Sequence, residues 1–205
     1  CPSAKIILHS ERTPKPNVLT DFLDRMKNNG VDYDIIGLSY YPDHHGPLST
    51  LVTALNTVEN RNYGKDLMIV ETGYSYAWAI SDTYNYTGTY PYTEEGQRKF
   101  TADLIALLKN HDSVKGLFWW WPEDNGKKNV TSNWWNAALY NHETGKPYAA
   151  FYELKAFAEG RTGAAVSAAM NSTVDERWYT IQGVQLPDTP QSAGLYVHGG
   201  RKIVK

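Results

Sequence analysis

The chain has 205 residues, 23.2 kDa and 41% hydrophobic residues, enough for one medium domain with an appendage or two small ones, and too few for a whole eight-stranded α/β barrel of about 250 residues. A formal net charge of −2 gives no electrostatic case for nucleic acid or an anionic membrane as partner. No apolar run approaches the roughly 20 residues that span a bilayer, any export signal is expected outside the chain, and the single cysteine, Cys1, excludes an internal disulfide framework or a thiolate-rich zinc site.

Residues 1–160 alternate short apolar runs with longer amphipathic ones, the pattern of βα units on a parallel sheet. Residues 5–9 read as a strand. Pro14 and Pro16 then open a helix carrying Val18, Leu19, Phe22, Leu23 and Met26, which stops at Gly30 as a C′ glycine. A strand over 34–41, a helix over 48–61 with Leu48, Leu51, Val52, Leu55 and Val58 on one stripe, and a strand over 67–70 follow. Thr93 N-caps a helix over 94–110 that buries Phe100, Leu104, Ile105, Leu107 and Leu108. A strand over 114–121 and a helix over 147–158 complete four βα units.

Beyond residue 160 the sequence turns small and polar, without periodicity. It divides into an α/β domain over 1–160, a linker over 161–175 and a small β module over 176–205. In the module, strands over 178–181 and 184–186 flank Gln182-Gly183, and strands over 195–198 and 201–204 flank Gly199-Gly200, which reads as two hairpins.

In parallel α/β sheets functional groups collect at the carboxyl ends of the strands. The residues leaving these strands are polar and aromatic: His9 and Glu11, then Tyr40, Tyr41 and His45, then Glu71, Tyr74 and Tyr76, then Trp120, Trp121 and Glu123. Five of the 7 Trp fall between Trp119 and Trp135, which suggests a local aromatic surface rather than scattered core filling. Glu71 directly follows an apolar strand. Spacing alone leaves two readings open for it: a structural carboxylate that caps or pairs, or a catalytic one.

Five segments carry a resemblance. Asp34-Ile-Ile-Gly-Leu-Ser-Tyr-Tyr-Pro42, Tyr63-Gly-Lys-Asp-Leu-Met-Ile-Val-Glu-Thr-Gly-Tyr74, Tyr90-Pro-Tyr-Thr-Glu-Glu-Gly-Gln97, Gly116-Leu-Phe-Trp-Trp-Trp-Pro122 and Trp134-Trp-Asn-Ala-Ala-Leu-Tyr140 look like the second half of family 53 glycoside hydrolases. These are the arabinogalactan endo-β-1,4-galactanases, retaining enzymes on a (β/α)8 barrel. The resemblance implies an α/β fold, the C-terminal half of a TIM barrel with strands five to eight, joined to the small C-terminal β-hairpin module. It makes Glu71 the catalytic nucleophile. His9, Glu11, Tyr40, Tyr41, His45, Tyr74, Tyr76 and Trp120 become substrate-binding residues, with a phenol from Tyr40 or Tyr41 donating to Glu71 and Trp120 stacking on a sugar face.

A retaining glycosidase also needs an acid/base carboxylate roughly 5 Å from the nucleophile. In the family that glutamate follows an Asn at the end of the fourth strand, and this sequence contains no Asn-Glu pair. The resemblance therefore implies the nucleophile-bearing half of a retaining endo-β-1,4-galactanase, acting on galactan or arabinogalactan and inactive in isolation. The alternative is a non-catalytic carbohydrate-binding remnant. Open barrel edges and bare inner faces call for a partner, either the missing N-terminal half-barrel or a second copy.

Two departures from the family pattern are visible: Asp43-His44-His45 replaces an aromatic pair before the histidine, and Trp121 stands where Glu is usual. Some relatives bind calcium after the eighth strand, but Glu123, Asp124, Asn125 and Asn129 lack the regular alternation of a calcium loop, so neither metal nor cofactor is expected. The tail is similar to C-terminal modules of secreted Bacteroidetes enzymes, some of them sorting signals. With a polysaccharide substrate, that gives the expectation of a bacterial protein that is secreted, periplasmic or at the cell surface.

Overall fold

Four parallel strands, β1 (Ile7–Ser10), β2 (Ile35–Tyr40), β3 (Asp66–Thr72) and β4 (Val114–Trp119), pair in the order in which the chain makes them. They are seen in a computed structural model that describes residues 3–81, 83–123, 133–159, 177–180, 185–198 and 201–204. The chain divides into two units, residues 1–164 and 165–205. The linker expected over 161–175 lies outside the described residues. Among the described residues, no helix is long and apolar enough to cross a membrane.

The helices between the strands follow from their sequences. Helix α1 (Pro16–Asn28) opens on a proline, whose missing N–H is one that a first turn leaves unpaired, and ends before Gly30 at φ +66°. A four-residue helix, α2 (Pro42–His45), then precedes α3 (Leu48–Arg61). Helix α4 (Glu94–Leu108) starts at Thr93, whose side chain accepts from the Gly96 N–H, with Glu94 and Glu95 in the first turn. Gly96 is obligatory there, because an added Cβ would lie 1.7 Å from the Pro91 carbonyl oxygen. Helix α5 (Ala149–Ala158) packs against α4, and Arg98 bonds Glu153 across that contact.

Alternation along the strands gives the sheet two unlike faces. Ile36, Leu38, Leu67 and Ile69 are fully buried in one cluster with Leu19, Leu23, Leu51, Leu55, Phe100 and Leu104 from the helices. Each such side chain contributes about 1.5–3 kcal/mol by leaving water. The opposite face carries Ile7, Gly37 and Val70, with the two side chains closing over the glycine. On the edge strands β1 and β4, Ile7 and Phe118 stay 38% and 54% exposed.

Some strand ends differ from the sequence reading. The first strand starts two residues later, the second excludes Tyr41, and the fourth ends at Trp119 rather than at 121. The third reaches Thr72, so Glu71 lies inside the strand instead of after it. A register shift between Leu38 and Ser39 pairs Ser39 with Glu71 and Tyr40 with Thr72, which lets the ladder run past the apolar segment.

In the second unit, β5 (Trp178–Thr180), β6 (Gln185–Leu186), β7 (Leu195–His198) and β8 (Arg201–Val204) form an antiparallel sheet ordered β6-β5-β7-β8. Pairing of β5 with β7 merges the two expected hairpins into one sheet. Trp178 and His198, directly opposite, stack with ring centroids 4.3 Å apart. The expected turns at 182–183 and 199–200, and the strand ends expected at 181 and 184, lie outside the described residues.

Candidate active site

Glu71 is the penultimate residue of β3, at the carboxyl end of the sheet. Tyr41, the first residue beyond β2, donates its phenolic hydrogen to Glu71 Oε2 at 3.0 Å. Tyr41 is buried. Burial and the adjacent Glu71 carboxylate push its phenol well above the ordinary range, so it stays a donor across the working pH of any hydrolase. A hydrogen bond to a charged group is worth about 1.5–3 kcal/mol, enough to fix the direction of the carboxylate.

Tyr41 is itself held from three sides. Its backbone N–H donates to His45 Nδ1 at 3.2 Å, its ring meets Trp134 edge-on with centroids 4.7 Å apart, and it meets His44 edge-on at 6.3 Å. Burial, then the neighbouring His44, depress the His45 pKa, while the Glu11 and Glu71 carboxylates work in the opposite direction. The neutral imidazole that results suits a ring nitrogen that accepts. His45 thus senses carboxylates carried by two different strand ends.

Gly73 completes the wall beside Glu71. A Cβ there would meet the Trp134 and Tyr41 rings at 3.7 Å and the Trp120 carbonyl oxygen at 3.8 Å. The Trp120 N–H donates to the Thr72 carbonyl at 2.7 Å, tying the end of β4 to the residue after Glu71. Trp120 and Trp121 are 38% and 46% exposed.

The remaining expected site residues separate into two groups. His9 Nε2 lies 2.7 Å from Ser39 Oγ, on an exposed ring, and Glu11 is exposed and paired with Arg12 at 2.9 Å. Tyr76 is half-buried, 4.7 Å from the Tyr148 ring, and its N–H donates to the Asn136 carbonyl. Tyr40 and Tyr74 are corrected. Both are fully buried and donate their hydroxyls to backbone carbonyls, those of Gly46 and Tyr90 respectively, so neither offers a surface to a sugar. Tyr74 stacks on Phe100 at 4.9 Å as part of the core.

Sequence reasoning missed Trp134, His44, Ser39 and Gln97. Trp134 lies more than 60 residues from Glu71 in sequence, on the 3-10 turn Asn133–Ala137, and only its place in the tryptophan cluster pointed to it. Gln97 is fully buried and donates to the carbonyls of Tyr74, Ala137 and Ala138, joining the segment after Glu71 to the one carrying Trp134. Asn136 adds to that junction by accepting from the N–H groups of Ala77 and Trp78. Among the described residues no group of three or more His, Cys, Asp or Glu side chains is placed to hold a metal ion. Asp124, Asn125 and Asn129 lie outside them.

The glycosyl hydrolase family 53 profile matches residues 1–152. An uncharacterised Niallia circulans protein is 30% identical over 77% of this chain and 47% of its own length. The endo-β-1,4-galactanase of Bacillus subtilis is 34% identical over 48% of this chain and 25% of that protein. The arabinogalactan endo-β-1,4-galactanase of Cellvibrio japonicus is 29% identical over 67% of this chain and 39% of that protein. Among solved structures, the family 53 catalytic domain of Ignisphaera aggregans superposes with a TM-score of 0.61 at 29% identity, covering 77% of this chain and 47% of that one. A fungal β-1,4-galactanase superposes at 0.63 with 20% identity, over 75% of this chain and 48% of that one. The parallel sheet and its helices are thus part of a (β/α)8 barrel, and the chain spans less than half the length of the curated relatives it matches.

Proposed function

The chain belongs to glycosyl hydrolase family 53, and from that premise we propose that it is the nucleophile-bearing half of a retaining endo-β-1,4-galactanase. Glu71 attacks the anomeric carbon and forms a glycosyl ester as the glycosidic bond breaks. A second carboxylate, roughly 5 Å away, protonates the leaving oxygen. That same group then takes a proton from water, whose oxygen displaces Glu71 with net retention. Because this sequence has no Asn-Glu pair, the reading puts the acid/base residue on the first four barrel strands. Tyr41 orients Glu71 for attack.

The observation that carries the proposal is the Tyr41–Glu71 hydrogen bond of 3.0 Å at the carboxyl end of the sheet, where barrel enzymes place their chemistry. The galactanases among the relatives support β-1,4-galactan as substrate. The bare sheet face with Ile7 and Phe118 is the surface assigned to the amino-terminal half of the barrel, or in its absence to a second copy. A substrate too large to enter a cell places the work outside the cytoplasm, with the small β module as a sorting or stabilising appendage.

The missing Asn-Glu favours a second reading for residues 1–205 alone, namely that they bind galactan without turning it over. Both readings meet in one experiment. With the first four βα units restored, Glu71→Gln should lower galactan hydrolysis by at least about a thousandfold while oligosaccharide binding survives. Activity within about tenfold of the parent refutes the nucleophile assignment.

A further inference from the structure

Among the described residues, only Asn62 and Trp121 adopt a positive φ without being glycine, at 50° and 52°. Asn tolerates this region, since its short polar side chain bonds locally. For a bulky residue the conformation is an outlier, and such strain persists where the surroundings impose it, clustering at active sites, ligand clamps and switch regions. Trp121 is nonetheless left 46% exposed. A large aromatic ring on a strained backbone is thus left about half exposed, one residue after the aromatic assigned to sugar stacking.

We propose that Trp121 is a second sugar platform, which holds the galactose unit next to the one on Trp120 and gives the site a preference for longer oligosaccharides. The inference rests on reading this site as a galactan-binding one. Its geometry suits that occupant. The two indole planes lie 14° from parallel with centroids 6.2 Å apart. Rings directly face to face would sit about 3.5–4 Å apart, so one indole is slid across the other and each keeps open face. Displaced faces leave each indole able to take the apolar C–H groups of its own pyranose ring against the negative face of the aromatic system. The pair is also continuous with the nucleophile, since the Trp120 N–H is bonded to the residue that follows Glu71.

The test is calorimetric titration of the 205-residue chain with β-1,4-galactobiose and β-1,4-galactohexaose, with thermal unfolding and light scattering alongside. Trp121→Gly suits the left-handed φ, so its Tm should equal or exceed the parent's. Its affinity for the hexaose should fall about five- to tenfold, while the biose changes less than about twofold. Trp121→Phe, which keeps a ring, should recover most of the loss, and Trp120→Ala should weaken both ligands. Unchanged hexaose affinity in Trp121→Gly overturns the proposal, as does a fall in Tm or a shift in self-association without a change in sugar binding. If Trp120→Ala still weakens the biose, the galactan reading survives that result. If the parent binds neither sugar, both fail.

Discussion

Two aromatic groups flank the end of β3, and they differ in where their polar atoms go. Tyr74, Tyr90 and Phe100 pack with centroids 4.9–5.9 Å apart, and the Tyr74 and Tyr90 hydroxyls donate to a backbone carbonyl and to Asp103. Tyr41, His44 and Trp134 pack about as closely, but the Tyr41 hydroxyl goes to Glu71, and beside them Trp120 and Trp121 reach solvent. The adjacent residues Tyr40 and Tyr41 repeat the contrast within one dipeptide. Aromatic content does not distinguish scaffold from site here; the partner of the hydroxyl and the exposure of the ring do.

The contrast is easiest to break from the scaffold side. Phe100 is fully buried between the two tyrosines, so Phe100→Ala should cost about 3–5 kcal/mol in urea unfolding. A loss below about 1 kcal/mol would show that this cluster is not core.

The tyrosine pair sharpens it. In the complete barrel, Tyr41→Phe should reduce kcat about 10- to 100-fold, because Glu71 loses the donor that aims it, while stability changes little. Tyr40→Phe should do the reverse, lowering stability by about 1–2 kcal/mol as the buried Gly46 carbonyl loses its donor, with kcat near the parent's. Equal effects of the two substitutions on kcat would erase the distinction.

Asp43 tests the boundary between the two groups. It is buried beneath the rim, and burial pushes its carboxyl up to about 6, partly opposed by the hydrogen bond from Tyr92 at 3.1 Å. In the unfolded chain the value is about 4, so the folded state holds the proton more tightly. Stability from this group is complete below pH ~4 and is lost as pH rises through ~6. Asp43→Asn should remove that slope, leaving the variant more stable than the parent above pH ~6 by on the order of 2 kcal/mol and similar to it near pH 4, as read from urea midpoints. A parent whose stability rises relative to Asp43→Asn between pH 4 and 7 would contradict this assignment.

Much of the barrel unit was legible in the sequence, because apolar spacing reports burial directly. The stripes on α3 and α4 and the capping by Thr93 needed nothing beyond local pattern. Helix α2 was not legible, since four residues carry no period and Tyr-Tyr-Pro reads equally well as a strand end. The extension of β3 through Glu71 depends on the register shift in β2, a property of two strands together. That shift also decides which of Tyr40 and Tyr41 turns toward the carboxylate, so residue type alone left the pair undivided. Trp134 reaches the site only through tertiary packing around Gly73 and the junction at Gln97.

In the proposed reaction the Glu71 carboxylate forms a covalent bond to sugar. With the barrel completed by its first four βα units, an activated 2-deoxy-2-fluoro-β-galactoside should trap that bond. The fluorine slows both chemical steps, the good leaving group restores only the first, and the glycosyl-enzyme accumulates. Peptide mass spectrometry should find one fluorogalactosyl group on the segment containing Glu71, and none in Glu71→Gln. A hydrolytically active enzyme that carries the label on Glu11 or another residue, or that takes up no label, would contradict the account.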